Sequence, residues 1–195
     1  IGRTNVGKSS LLNSLIGRKL SIVTPKPHTT RQRLLGVLHG DNFQAGVLDT
    51  PGFLAKGRDL LDASMSRQSS AALAEADLVL LVVDPRIPGN VEEHFMQQII
   101  KLGTRAILVV NKVDTLSKMK LLPIIESYSQ RELFAEIVPI SALKEDGLEL
   151  LVNLVHRHLP WRDPQFPSQM ITDRSTNYLA GEIVREKAFL LYGME

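Results

Sequence analysis

The stretch GRTNVGKSS, Gly2-Arg3-Thr4-Asn5-Val6-Gly7-Lys8-Ser9-Ser10, sets two glycines five positions apart and follows the second with Lys-Ser. It satisfies G-x-x-x-x-G-K-[ST], in which glycine lets successive backbone N–H groups converge on phosphate oxygens at the start of a helix. In that pattern Lys8 reaches the β- and γ-phosphates and the Ser9 hydroxyl ligates Mg²⁺. Such a loop normally ends a buried strand, and only Ile1 precedes it here. The first strand of the sheet is therefore expected to be largely absent.

Outward from this loop, short apolar runs alternate with helix-period segments. Leu34–His39 and Phe43–Leu48 flank Gly40-Asp41-Asn42, a tight-turn triplet, and predict an antiparallel hairpin. Leu78–Val83, Arg105–Val110 and Glu136–Ile140 read as further strands. Between them, Lys8–Ile16, Val91–Leu102, a helix opened by Pro123, and Asp146–Leu159 carry apolar residues at spacings of three and four. This alternation predicts a three-layer α/β fold of the P-loop type, a mostly parallel sheet with helices on both faces. The pattern stops at Leu159. Pro160–Pro167 holds three prolines in eight residues and reads as a stiff connector, with Trp161 as its expected anchor on the domain. Beyond it, Arg174–Tyr192 predicts a helix with Leu179, Ile183, Val184, Leu190 and Leu191 along one side, expected to begin another unit. The division is residues 1–160 for the nucleotide domain and 161–195 for the connector and helix.

Three more motifs follow predicted strands, where open α/β sheets bind ligands. Asp49-Thr50-Pro51-Gly52 supplies a carboxylate that would hold Mg²⁺ through a water, and a Gly52 N–H aimed at the γ-phosphate. Asn111-Lys112-Val113-Asp114 follows an apolar strand. The Asp114 carboxylate can accept two hydrogen bonds from the guanine ring N–H and amine. Adenine lacks that donor pair, and such a site can reject the wrong ligand by about 10⁴-fold. Asn111 would brace the loop and the Lys112 stem would cover the base. Ser141, Ala142 and Leu143 would offer backbone N–H groups to the guanine oxygen. Together these loops predict a guanine-nucleotide site binding GTP or GDP with Mg²⁺.

A polar loop, Thr24–Arg33, holds the candidate that would touch Mg²⁺ while the γ-phosphate is present. Thr30 is preferred over Thr29. Lys8, Thr30 and Gly52 are the expected catalytic groups, and Arg31 and Arg33 are expected to be solvated or to meet a partner. Phe53 stands where a glutamine often orients the attacking water, so intrinsic hydrolysis should be slow. His156 and His158, two apart on a helix, read as surface residues.

Composition narrows the class. At 195 residues, 44% hydrophobic and 23% charged, the chain is globular. Net charge is +2 and cysteine is absent, which excludes disulfides and thiolate metal sites and suits a reducing cytoplasm. No apolar run approaches the ~20 residues of a membrane helix.

"GRTNVGKSSLLNSLIG", "HTTRQR", "DTPG", "NKVD", "PISA" and "ITDRS…EIVREK" together resemble the Era family of ribosome-assembly GTPases. The resemblance implies a GTP-hydrolysing switch in small-subunit assembly, probed against two alternatives: a tRNA-modification-type GTPase and a scaffold with negligible turnover. It implies a KH-type RNA-binding domain that engages 16S rRNA, loose inner-membrane association of a cytoplasmic monomer, and a potassium ion at Asn5. KH domains clamp RNA with G-x-x-G, and no two glycines here are three apart. The chain is thus expected to be a piece of a longer protein, holding only the first helix of that domain.

Overall fold

The computed structural model describes residues 1–24, 29–30, 33–52 and 69–192. Arg31 and Phe53, with the rest of the segment 53–68, lie outside the described residues.

The innermost strand is the most apolar. Ala106–Val110 (β4) is buried at all five positions, as a strand covered on both faces must be. It pairs in parallel with Val79–Val83 (β3) on one side and Glu136–Pro139 (β5) on the other. Alternate side chains of β3 and β4 face opposite layers. Leu81, Val83, Leu108 and Val110 meet Phe95, Met96 and Ile99 of Asn90–Leu102 (α3) and Ile124 and Tyr128 of Lys118–Ser129 (α4). Val82, Ile107 and Val109 meet Leu151, Leu154 and Val155 of Leu148–His158 (α5) and Leu11 of Lys8–Ile16 (α1). These are the three expected layers.

Leu34–Gly40 (β1) and Phe43–Asp49 (β2) form the antiparallel hairpin, in register from Leu34↔Asp49 to Gly40↔Phe43. The helix α1 lies so close to it that a Cβ on Gly36 would sit 2.7 Å from Leu12 Cδ1. Among the described residues the hairpin and the three-stranded sheet share no strand pair. A cavity of about 760 Å³ lies between them, lined by β2, residues 78–80 and Val152, Val155 and Leu159. Ile1 sits at its rim in parallel-strand fashion: its N–H donates to Leu80 O and Val82 N–H donates to Ile1 O, both at 2.9 Å.

Two local expectations need correcting. Pro123 does not open its helix but lies inside α4, which starts at Lys118 after Ser117. Burial of Ile124 and Tyr128 against α3 outweighs the missing amide of the proline. Trp161 does not anchor the connector and is 99% exposed. Polar clasps replace it: Arg162 pairs with Asp77 at 2.7 Å, and the Gln44 amide bonds both backbone groups of Phe166. The chain then runs along the open edge of β1, where Val37 N–H donates to Ile171 O at 2.9 Å and covers the strand edge.

The last helix, Thr176–Tyr192 (α6), returns to the body, and of its anticipated stripe Leu179 packs inward while the rest faces outward. Ile183, Val184, Leu190 and Leu191 are exposed; Tyr178 and Leu179 pack on Leu12, Leu20 and Leu34, and the one buried side chain is Glu186. The surface that α6 meets is polar there, which decides the face. Glu186 accepts hydrogen bonds from Lys19 Nζ and, at 3.1 Å, from Val23 N–H. No described helix is long and apolar enough to cross a membrane.

Burial alone would raise the Glu186 pKa, but the bonds from Lys19 and Val23 outweigh it and hold the carboxyl below its ordinary 4.5. A carboxylate depressed by folding stabilises above its unfolded pKa and loses that contribution as pH falls through the folded value. Glu186→Ala should therefore speed amide exchange along α6 by about two orders of magnitude, the loss of charged hydrogen bonds of roughly 2–3 kcal/mol, and leave β4 amides unchanged. The unsubstituted chain should show the same loosening only below pH 4.5.

Candidate nucleotide site

The phosphate loop is shaped by contacts that leave no room for side chains. Gly2 has φ 150° and Gly7 φ 98°, and a Cβ on Gly7 would fall 2.3 Å from Asn111 Nδ2. A Cβ on Gly2 would meet Val82 O at 2.2 Å. Asn5 sits in the left-handed region at φ 61°. Lys8 spans the loop, with Nζ donating to Gly2 O at 3.1 Å and Arg3 O at 2.7 Å. Burial lowers its pKa to about 8 against the opposing pull of Asp49.

Beyond Lys8 the loops bring oxygens together. Ser9 Oγ donates to Asp49 Oδ2 at 2.6 Å and lies 3.0 Å from Thr30 Oγ1. Ser21 Oγ donates to the same Asp49 oxygen at 2.8 Å. The other oxygen of Asp49, and Thr50 Oγ1, are buried without a partner. An all-oxygen donor set with a spare carboxylate oxygen fits Mg²⁺, which favours oxygen ligands and keeps several waters. Gly52 abuts the loop closely: a Cβ there would lie 2.6 Å from Thr4 Cα. A cavity of about 390 Å³ opens among Thr4, Asn5, Lys8, Ser9, Thr30 and Gly52.

The loops at Asn111–Asp114 and Ser141–Leu143 are tied to the phosphate loop by one side chain. Asn111 Nδ2 donates to Val6 O at 2.9 Å, and Ala142 N–H donates to Asn111 Oδ1 at 3.0 Å. Lys112 Nζ donates to Asn5 O, and Ser14 Oγ of α1 donates to Ala142 O at 2.9 Å. Asp114 Oδ1 accepts from Ser141 Oγ at 2.7 Å; that bond, outweighing desolvation, holds its carboxyl below the ordinary carboxylate range.

Two of the anticipated amides are already used inside the turn. Ser141 N–H donates to Asp146 O at 3.0 Å and Ala142 N–H to Asn111 Oδ1, while Leu143 is 85% exposed. Arg33 pairs with Glu75 at 2.7 Å, on the helical residues 69–75 (α2), and Arg174 Nη2 donates to its carbonyl at 2.8 Å. The exposed His156 stacks on Phe43 with ring centroids 4.5 Å apart.

Two supports escaped the sequence reading. Ser21 braces Asp49, and Asn13 holds the chain that carries it: Asn13 Oδ1 accepts from Leu20 and Ser21 N–H, each at 2.9 Å. An asparagine in the middle of the apolar helix "LLNSLIG" was the available signal.

Residues 1–112 match the family described as 50S ribosome-binding GTPase. Along its whole length the chain is also similar to GTPases Era. It is 41% identical over 192 residues to that of Syntrophus aciditrophicus, covering 98% of this chain and 62% of the relative. It is 42% identical over 196 residues to that of Marinobacter nauticus, covering 100% and 64%. The chain belongs to the Era family of GTPases. Among solved structures, Era in complex with MgGDPNP and nucleotides 1506–1542 of 16S ribosomal RNA superposes with a TM-score of 0.93 at 42% identity, over 100% of this chain and 66% of that one. An Aquifex aeolicus Era variant bound to GDP.AlF4⁻ gives the same values. The chain thus spans a little under two thirds of the length of its Era relatives. The Era neighbour solved with MgGDPNP carries the metal that the Ser9–Asp49–Thr30 oxygens of this chain fit.

Because the Lys8 pKa is near 8, binding of a phosphate anion that raises it should take up a proton. Affinity for Mg·GDP should then be level below about pH 8 and fall above it, approaching tenfold per pH unit until the bound-state pKa is passed. Fluorescent-nucleotide titration between about pH 7 and 9 measures this. Lys8→Arg, charged throughout that range, should bind with an affinity independent of pH.

Proposed function

We propose that this chain is the nucleotide-binding part of a GTP-hydrolysing switch acting in small ribosomal subunit assembly. The observation that carries the reading is the hydrogen-bonded cluster of Ser9, Asp49 and Thr30, in which three separate loops converge on one oxygen-lined corner. Residues of the phosphate loop, Gly2 to Ser10, and of the turn Asp49-Thr50-Pro51-Gly52 enclose the phosphates. Asn111, Lys112, Asp114, Ser141, Ala142 and Leu143 enclose the base. The 16S rRNA fragment in the related Era complex supports an rRNA partner for the longer protein.

Each residue then has a defined task. Lys8 exchanges its bonds to Gly2 O and Arg3 O for phosphate oxygens and neutralises charge that builds up on them. Ser9, Thr30 and, through water, Asp49 would hold Mg²⁺, which supplies Lewis-acid polarisation of the phosphates when bound. Gly52 presents its N–H to the terminal phosphate. Asp114, kept ionised by Ser141, accepts from guanine. With Phe53 in place of the usual glutamine, water positioning falls to backbone groups, Thr30, or a cation at Asn5, and turnover without a partner is slow. A potassium ion beside Asn5 is part of this reading.

The reading extends to the end of the chain. The Thr29 carbonyl accepts from Arg185 Nη2 of α6 at 2.9 Å, while the Thr30 hydroxyl meets Ser9. Loss of the terminal phosphate would release Thr30 and change what α6 is held against. We take residues 1–160 as the nucleotide domain and 161–195 as the connector and first helix of a KH-type RNA-binding domain.

Two measurements test this. Asp114→Asn should turn preference from GTP towards xanthosine triphosphate by at least about 10²-fold, and retained GTP preference would remove the base-reading assignment. Phosphate release should be slow for the protein alone and accelerate with small subunits and with potassium in place of sodium. A rate indifferent to both would sink the regulated-switch reading.

A further inference from the structure

Glu92 carries a charge in the first turn of α3 and is nevertheless 1% exposed. Burying a carboxylate is costly unless it is paired and hydrogen-bonded. One oxygen, Oε2, accepts the Gly89 N–H at 3.0 Å and caps the helix. The other, Oε1, makes no hydrogen bond and faces the Arg3 guanidinium, with Nε at 3.7 Å. A cap needs one oxygen and no charge, so the second oxygen and the charge call for a separate account.

Arg3 supplies it. It belongs to the phosphate loop, and its carbonyl is the shorter of the two bonds that hold Lys8 Nζ, at 2.7 Å. Its side chain is absent from the wall of the phosphate cavity, which its neighbours Thr4 and Asn5 line. The guanidinium points instead to the buried carboxylate on α3. Resting on the guanine-nucleotide reading of the site, we propose that Glu92 is a positioning residue of the phosphate loop. Through Arg3 it fixes the arm of the loop from which Lys8 hangs, and it keeps a second cation out of the phosphate cavity. The rigid element doing the holding is α3, whose Phe95, Met96 and Ile99 are locked in the core.

The test uses E92Q, R3Q, R3K and the E92Q/R3Q double variant of the whole chain, with Mg·GDP affinity and thermal unfolding measured on each. E92Q keeps the shape and the acceptor for Gly89 N–H and removes only the charge. It should weaken Mg·GDP by about five- to tenfold, as should R3Q, and the double variant should be no weaker than either, because both remove one shared interaction. R3K, which keeps the charge, should stay within about twofold of the unsubstituted chain. A lowered unfolding temperature with unchanged affinity in E92Q would make Glu92 a cap and nothing more. Losses that multiply in the double variant would overturn the proposal as well. Should E92Q not fold, R3Q decides alone: unchanged affinity in it is fatal. If the unsubstituted chain binds no guanine nucleotide, the reading of the site fails first and takes this inference with it.

Discussion

The buried carboxamide of Asn111 is the joint on which the site depends. It donates to Val6 O in the phosphate loop and accepts from Ala142 N–H in the last turn, so one side chain ties these two distant loops together. No other side chain of that size both donates and accepts from one planar group. Aspartate could not serve Val6, and leucine could serve neither. Either would strand a buried backbone group at a cost of about 1–3 kcal/mol. The demand runs in both directions, because Gly7 must lack a Cβ for Asn111 to fit. A motif near the start of the chain and one in its middle are therefore a single mechanical object.

That object sits where it does because of the core beneath it. The strands β3, β4 and β5 end together, since their parallel register aligns Val83 with Val110 and Val110 with Pro139. The Asn111–Asp114 and Ser141–Leu143 loops are the next few residues after two of these ends. Apolar packing on both faces of β4 holds the ends in place, and the polar loops need only bridge short gaps. The site charges are held by groups of the fold itself. Lys8 rests on carbonyls, and Asp49 is held by two hydroxyls with one oxygen to spare. Preorganised groups of this kind lose little free energy to rearrangement when charge must be met.

Local chemistry was legible wherever a residue type has one physical use at one spacing. The glycines of the phosphate loop, the apolar run of β4 and the Gly40-Asp41-Asn42 turn each declare their conformation through backbone freedom or burial. The extent of α1 is as its periodicity suggests. Misreadings arose where a residue has two uses. Pro123 can open a helix or sit inside one, and burial of Ile124 and Tyr128 settled the matter. Trp161 in a proline-rich connector could anchor or be solvated, and the surface beside it offered Asp77 to Arg162 instead.

By itself, the order of residues determined which motifs would follow the ends of β2, β4 and β5, because strand, turn and loop chemistry act over a few residues at a time. It determined the layered α/β class for the same reason. Only the tertiary structure decided which far-apart polar groups would pair. Ser21 on Asp49, Glu186 on Lys19 and Glu92 against Arg3 link residues from 28 to 167 positions apart. A polar side chain carries no periodic signal of its partner, and pairing is set by burial, which leaves such a group only the donors and charges that packing happens to bring within reach.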